Sequence, residues 1–252
     1  MQQPAADGRG LGTRSTYKEV RPRSTNMTQI VIVVALLAVH SSSAAAQFTP
    51  RPYNAAAVHR TAEEAIQLID DLTHGRVHPV DESGLGDLAQ FLVESLMLID
   101  SKAPIDPLAL DALAAVSGNG FPGWALTDLG DRSVPSLIKS VKTTGGLREH
   151  QKGAMDALER MFERPTIEAS LSGESKRAIR QLAQEQLLSA KLVDQELGAA
   201  GYLALATRDP ALRTIASQLL QPKELRRRGL DPAYDNWTIE VIGQALEKFP
   251  PR

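Results

Sequence analysis

The sequence predicts an all-α protein, and three observations support that prediction. Only 4% of its 252 residues are aromatic although 42% are hydrophobic, so leucine, alanine, isoleucine and valine must build most of the core. That mixture favours helices over a β-sandwich. Apolar residues from Thr61 onward recur at helical spacing, and no segment shows the alternation of a half-buried strand. Turns that contain glycine or proline divide this pattern into about eight or nine helices.

The first 46 residues predict a leader that ends in a secretory signal peptide. Residues 30–39 are an unbroken apolar run, and the small residues 44–46 follow it as an A-x-A cleavage pattern. A membrane-spanning helix needs about 20 apolar residues, so this shorter run is typical of a signal peptide. We therefore expect cleavage near Ala46, export to the periplasm or the extracellular space, and no membrane span afterwards. An uncleaved anchor is the alternative, and Met27 is a second candidate start beside Met1.

The predicted elements begin with an extended lead-in over residues 47–60, where prolines oppose an early helix. Thr61 and Glu64 have the spacing of a capping box, which predicts that the first helix begins there. Gly75 is the expected end of that helix. An N-terminal helical part over residues 61–121 follows from this start.

Asp-Pro dipeptides predict further helix starts. Aspartate caps a helix well, and proline suits the first helical position because its missing amide would be unpaired there anyway. Such dipeptides occur at Asp106, Asp209 and Asp231. A helix with apolar residues from Leu85 to Ile99 precedes the first of them.

The C-terminal part, residues 122–252, starts with a more specific pattern. The stretch LGDRSVPSLIKS at 129–140 predicts a helix capped by Asp131 or Ser133, with Leu137 in its buried stripe. After a TTGG turn, Arg148 precedes a second helix with alanines at positions 154 and 157. Because alanine side chains are small, the two helices of the pair could pack closely against each other.

This pattern resembles a HEAT repeat, in particular the short bacterial HEAT-like form. The segment Asp-Pro-Ala-Leu-Arg at 209–213 resembles the opening of a second helix in that family, and residues 236–249 resemble a degenerate third unit. The spacing between units departs from that family, so either the array is irregular or residues 167–191 are an inserted or diverged helix pair. The resemblance implies an irregular stack of helical hairpins (an α-solenoid), in one domain with residues 61–121, and protein interaction more often than catalysis.

One catalytic alternative concerns Ser136 and Lys139, which have the S-x-x-K spacing of serine β-lactamases and penicillin-binding proteins. An S-x-N at Ser117 and a lysine-threonine sequence at Lys142 strengthen the likeness, but their order along the chain differs from that family. Both members of the pair also fall off the apolar stripe that contains Leu137. We therefore expect Ser136 and Lys139 to face solvent rather than to form a catalytic pair.

Metal and cofactor sites have little support in the sequence. His74 and His78 are four residues apart, but Gly75 and Pro79 break the helix that would align them, which favours polar loop histidines. There is no cysteine, so disulfides and thiolate sites are excluded. No nucleotide, zinc-protease or hydrolase motif occurs, and we expect no cofactor.

Candidate partner-binding residues are few. The run Arg226-Arg227-Arg228 is either an anion-binding patch or a solvated helix end. Exposed aromatic side chains would be hot spots, whereas buried ones would pack the core. The full set of candidates is Trp124, Arg148, Arg226, Arg227, Arg228, Tyr234 and Trp237. Asn236 begins a glycosylation sequon, which matters only in a eukaryotic secretory pathway.

The sequence as a whole predicts an exported, non-catalytic interaction or scaffolding protein whose partner is another protein. A net charge of −2 provides no general attraction for nucleic acid, so we expect no nucleic-acid partner. The alternative is a helical exported enzyme, or an accessory subunit of a cell-envelope complex, with a site assembled from dispersed residues.

Overall fold

The structure is a computed structural model that describes residues 53–76, 82–99, 103–143, 148–233 and 236–251. Within these ranges it contains twelve α-helices and two short 3₁₀ helices and no strand, which confirms the all-α prediction. There are more helices than the eight or nine expected, because six of them are only six to nine residues long. The predicted signal peptide lies outside the described residues.

The helices follow one another through short connections. The first six are α1 (Ala55–Thr73), α2 (Glu82–Met97), α3 (Pro107–Ala115), α4 (Phe121–Asp128), α5 (Val134–Lys142) and α6 (Arg148–Glu163). The remaining six are α7 (Pro165–Ser170), α8 (Gly173–Leu188), α9 (Asp194–Ala206), α10 (Pro210–Gln218), α11 (Pro222–Arg227) and α12 (Trp237–Lys248). The 3₁₀ helices are Ser117–Asn119, between α3 and α4, and Gly130–Arg132, between α4 and α5.

The first helix starts earlier than predicted, so the extended lead-in is wrong from residue 55 onward. Asn54 caps α1, and its side-chain oxygen accepts a hydrogen bond from the amide of Ala57 at 3.1 Å. Three alanines follow this cap, and alanine is the best helix former. Thr61 therefore lies inside α1 rather than at its start. The predicted end is confirmed, since Gly75 follows the helix with a φ of 64° that suits glycine.

Two of the three predicted Asp-Pro starts are confirmed. Asp106 caps α3 by accepting from the amide of Leu108 at 2.9 Å. Asp209 caps α10 by accepting from the amides of Ala211 and Leu212. Asp231 starts no helix: its carboxylate accepts from the amide of Ala233 in a turn, and α12 begins at Trp237.

The core of the C-terminal half is organised around α9, which packs against α6, α8, α10 and α12. Buried residues occur on every side of this helix, as expected for a helix surrounded by others. Its contact with α12 depends on glycines. A Cβ atom at Gly198 would lie 2.3 Å from the ring of Trp237, and one at Gly201 would lie 2.6 Å from Ile242. The two helices can therefore approach closely only because both positions lack a side chain.

The helix α5 confirms the predicted apolar stripe but not the position of Ser136. Leu137 is fully buried, and Lys139 is exposed as expected. Ser136 is only 6% exposed, so the prediction that it faces solvent is wrong. The reason is that α5 packs against α3 as well as α6, which buries a wider arc than the stripe alone.

The caps predicted for α5 are also wrong. Ser133 is the first residue before the helix, but its hydroxyl donates to the carbonyl oxygens of Leu126 and Gly130. The carboxylate of Asp131 instead accepts from the amide of Ser172, just before α8. Both residues hold neighbouring segments together rather than cap a helix.

Across the described ranges, no helix is both long enough and apolar enough to span a bilayer.

Candidate functional site: an apolar groove and a polar pocket

One candidate site lies along the boundary between α2 and α4. Two depressions of about 550 and 390 Å³ follow this boundary. The first lies between the α2 segment 86–90 and the start of α4 at Phe121 and Pro122. The second lies between the end of α2 and the last turn of α4, near Met97 and Asp128. We call this surface the α2–α4 groove.

Large apolar side chains remain exposed beside the α2–α4 groove. Met97 is 73% exposed, Phe121 56% and Trp124 59%, and Leu98 follows directly after α2. Single exposed apolar residues are ordinary, but an exposed cluster beside a concave surface is typical of an interaction site. These residues come from two helices that the fold places side by side.

The charges around the α2–α4 groove differ between its two sides. On the α4 side, Asp128 is paired with Arg164, and the guanidinium of Arg160 lies 5.2 Å from the ring centre of Trp124. On the α2 side, Asp87 and Glu94 are exposed and form no ion pair within the described residues. The α2 side therefore presents uncompensated negative charge next to apolar surface.

A second candidate site is a polar pocket of about 510 Å³ beside the start of α9. We call it the Asp156 pocket. Its floor is formed by Gly118 and Gly153, where α6 approaches the first 3₁₀ helix so closely that a Cβ at position 153 would lie 2.3 Å from a backbone nitrogen. The walls are formed by Lys152, Asp156, Val193, Gln195 and Glu196.

The Asp156 pocket lies on a polar face of α6 that carries charge along the whole helix. Lys152, Asp156, Glu159 and Glu163 recur every three or four residues, so they lie along one side. Glu159 is fully buried, and its Oε1 atom has no hydrogen-bond partner. Burial raises the pKa of Glu159 well above its ordinary value, and the neighbouring carboxylates of Asp156 and Glu163 raise it further. Burial also raises the pKa of Asp156.

Glu163, at the other end of this face, is satisfied. Its Oε1 accepts hydrogen bonds from the Tyr202 hydroxyl at 2.6 Å and from the Lys248 ammonium at 2.7 Å. Burial opposes its ionisation, but these two bonds outweigh burial and lower the pKa of Glu163. Burial and the bond to Glu163 raise the pKa of Tyr202 to about 12. This cluster joins α6, α9 and α12, so its role is structural.

Glu159→Gln is expected to make the protein more stable at neutral pH. The pKa of Glu159 is raised by folding, so its favourable contribution is fully present below the unfolded pKa and is lost as the pH rises toward the folded pKa. Glutamine keeps the shape but does not ionise. The gain over the wild type should grow from near zero at about pH 4 to on the order of 1 kcal/mol or more at about pH 7. Urea unfolding of both proteins at several pH values measures this difference.

Glu163→Gln is the matched control on the same face. Its carboxyl has a lowered pKa, so its contribution is present above the unfolded pKa and lost as the pH falls. This substitution should therefore reduce stability at neutral pH and have less effect in acid. Equal or lower stability of Glu159→Gln at about pH 7 would contradict the assignment of Glu159 as a buried, unpaired acid.

The arginine run predicted as a partner site is largely engaged within the fold. Arg228 donates to the carbonyl oxygens of Leu187 at 2.8 Å and Ser189 at 3.1 Å, where α8 ends. Arg227 forms two hydrogen bonds with Glu224. Arg226 is exposed at the end of α11. Only Arg226 of the three therefore has a side chain that the described structure leaves fully available.

The aromatic candidates have different environments. Trp124 is exposed on α4, where it lines neither depression of the α2–α4 groove and contacts Arg160. Trp237 is half-buried, packs on Gly198 and lies under the ammonium of Lys152 at 5.2 Å. Tyr234 lies outside the described residues. Arg148 begins α6, but its side chain is also outside what the structure describes.

The catalytic alternative is not assembled in the described structure, and half of the histidine pair lies outside it. The ammonium of Lys139 binds Asp111 on α3 at 2.5 Å, and no hydrogen bond joins it to Ser136 in the described structure. His74 binds Asp70 through Nδ1, while His78 lies outside the described residues. No group of three or more potential metal-ligating side chains occurs within the described ranges.

The sequence did not single out Met97, Phe121, Asp156 or Glu159. The helical spacing of the two acids on α6 is visible in the sequence, but a row of charged residues is typical of a solvated face and does not indicate burial. The exposed apolar residues had no such signal. No protein-family model, curated protein or solved structure matches this chain.

Proposed function

We propose that this protein is a non-catalytic interaction protein that binds an amphipathic helix of a partner protein in the α2–α4 groove. The observation that carries the proposal is the exposure of Phe121 and Met97, each of which lines one of two depressions on one surface. Aromatic residues dominate binding hot spots because they bury much surface at little entropic cost. Apolar grooves between helices commonly accept the apolar face of a further helix.

The charge of the groove defines the partner. Asp87 and Glu94 lie on the α2 side without ion-pair partners in the described structure, so basic residues on the flank of the bound helix would complement them. The distance along α2 from Asp87 to Met97 corresponds to about 15 Å, which is close to three turns of a helix. The expected ligand is therefore a helix of about three turns with apolar residues at i, i+4 and i+7 and lysine or arginine on one flank.

A synthetic peptide of this pattern tests the proposal. We expect saturable binding by fluorescence anisotropy, with Phe121→Ala weakening it about 30-fold, as for a hot spot of 2 kcal/mol. Leu188→Ala is the matched control, because Leu188 is 60% exposed at the end of α8 and should not contribute. A peptide with glutamate in place of its basic residues should bind more weakly. Asp87→Asn should reduce the difference in affinity between the basic and the glutamate peptide.

Two results would contradict the proposal. One is equal binding of the peptide to the wild type and to Phe121→Ala. The other is self-association that depends on Phe121 in sedimentation experiments without peptide, since the groove would then accept a second copy of this chain.

A HEAT-like arrangement is part of this proposal. It is supported by the packing of α5 against α6, with Ala154 and Ala157 fully buried between helices. Arrays of this kind gain stability from neighbouring units and can open unit by unit. Hydrogen exchange of the intact protein should then show residues 134–163 and 194–218 exchanging as separate cooperative units. A single exchange event for the whole chain would contradict a repeat array.

Export is also proposed, from the apolar run at 30–39 and the small residues at 44–46. N-terminal sequencing of the protein purified from an expressing cell should give a first residue near Gln47. A first residue upstream of Ile30 would contradict cleavage.

A further inference from the structure

The Asp156 pocket shares no lining residue with the α2–α4 groove and has the dimensions of a small-molecule site. Its volume of about 510 Å³ is ample for a ligand of a few heavy atoms. Val193, which is 37% exposed, adds apolar surface beside the polar groups from α6 and α9. Apolar walls with a few convergent polar groups are the usual composition of such sites.

The carboxylate of Asp156 is the unsatisfied group in this pocket. It is half-buried, yet no residue of the described structure donates a hydrogen bond to it or forms an ion pair with it. The two cations one turn away on α6, Lys152 and Arg160, lie over the rings of Trp237 and Trp124, each at 5.2 Å from the ring centre.

The Asp156 carboxylate favours a positive ligand. Of the charged residues in the lining, Asp156 has no hydrogen-bond donor in the described structure, and Lys152 lies over the ring of Trp237. Glu196, on the facing wall, uses Oε2 to accept from the amide of Val193 at 3.1 Å. The carboxylate that lacks a donor is therefore that of Asp156, and a ligand that brings both N–H groups and positive charge would supply what is missing.

We infer that the Asp156 pocket binds a small organic molecule through a primary ammonium group, which donates hydrogen bonds to the Asp156 carboxylate while its hydrocarbon part contacts Val193. A neutral alcohol lacks the charge. A quaternary ammonium has the charge but no N–H group, so neither can replace the primary ammonium.

Isothermal titration with 1,4-diaminobutane tests the inference. We expect saturable binding to the wild type, no measurable binding of butan-1-ol, and at least tenfold weaker binding of tetramethylammonium. Asp156→Asn keeps the size of the side chain but removes the charge, and it should weaken diaminobutane binding at least tenfold.

Two further variants keep the result interpretable. Lys152→Met should leave diaminobutane binding intact or strengthen it, because a competing cation is removed. Asp87→Asn removes a carboxylate on the α2–α4 groove and should leave diaminobutane binding unchanged. The absence of saturable binding to the wild type, or equal binding to folded Asp156→Asn, would overturn the inference. Thermal unfolding of each variant establishes that it is folded.

Discussion

Leu137→Asp is expected to unfold the protein. Leu137 is fully buried in α5, which packs against both α3 and α6. An ionised carboxylate there would leave water without a partner, at a cost of several kcal/mol even after partial relaxation. A domain of this size is stable by about 5–15 kcal/mol in total, so this cost consumes a large part of it. We expect loss of the helical circular dichroism signal, or a transition at much lower urea concentration.

Lys139→Ala is the control on the same helix. The Lys139 side chain is 69% exposed, and its ion pair with Asp111 lies at the surface. An exposed pair of this kind contributes about 0–1 kcal/mol, so this variant should unfold almost as the wild type does. If Leu137→Asp were as stable as Lys139→Ala, the direction in which α5 faces the core would be wrong.

The contrast between Leu137 and Ser136 shows how far periodicity predicts burial. The apolar stripe identifies the side of α5 that must be covered, because leaving leucine and valine in water is unfavourable. The stripe does not show which further sides of the helix are covered by elements that are distant in sequence. Ser136 is buried because α3, about 25 residues away in sequence, lies against α5. Serine occurs both in buried and in exposed positions, so the residue type does not indicate whether Ser136 is buried.

The start of α12 shows a local signal overridden by a distant contact. Asp231-Pro232 has the same pattern as two true helix starts, yet the helix begins at Trp237. The amide of Thr238 donates to the side chain of Asp194 at 2.9 Å, and its hydroxyl donates to the backbone oxygen of the same residue at 2.6 Å. The capping partner of α12 thus comes from α9, 44 residues earlier, and local sequence rules do not include it.

The candidate sites were the least predictable feature for the same reason. Trp124 and Trp237 both lie near helix starts, but only Trp237 meets a helix with a glycine beneath its ring. The three consecutive arginines likewise look equivalent in the sequence. Arg228 alone reaches the end of α8, where unpaired carbonyl oxygens accept its hydrogen bonds. Which side chains remain available to a partner is therefore decided by tertiary contacts.

Gly153→Ala is expected to cause the second large loss of stability. A Cβ at this position would lie 2.3 Å from the backbone nitrogen and 2.4 Å from the Cα atom of Gly118. Both atoms belong to the backbone of a 3₁₀ helix, so no side-chain rotation relieves the contact, and α6 must move away from Ser117–Asn119. Overpacking usually costs about 1–3 kcal/mol, and a backbone contact this short should reach the upper end of that range or exceed it.

Gly243→Ala separates this steric effect from the intrinsic preference of alanine for helices. Gly243 lies within α12, and a Cβ there would meet no atom within 4 Å. Alanine should therefore stabilise the protein by about 0.5–1 kcal/mol at this position, because glycine loses more backbone entropy on folding. At Gly153 the same gain is present but is outweighed by the contact with Gly118. Urea unfolding should thus give changes of opposite sign for two identical substitutions in two helices. Stabilisation by both would mean that α6 does not approach the 3₁₀ helix closely, and that the floor of the Asp156 pocket is more open than the structure shows.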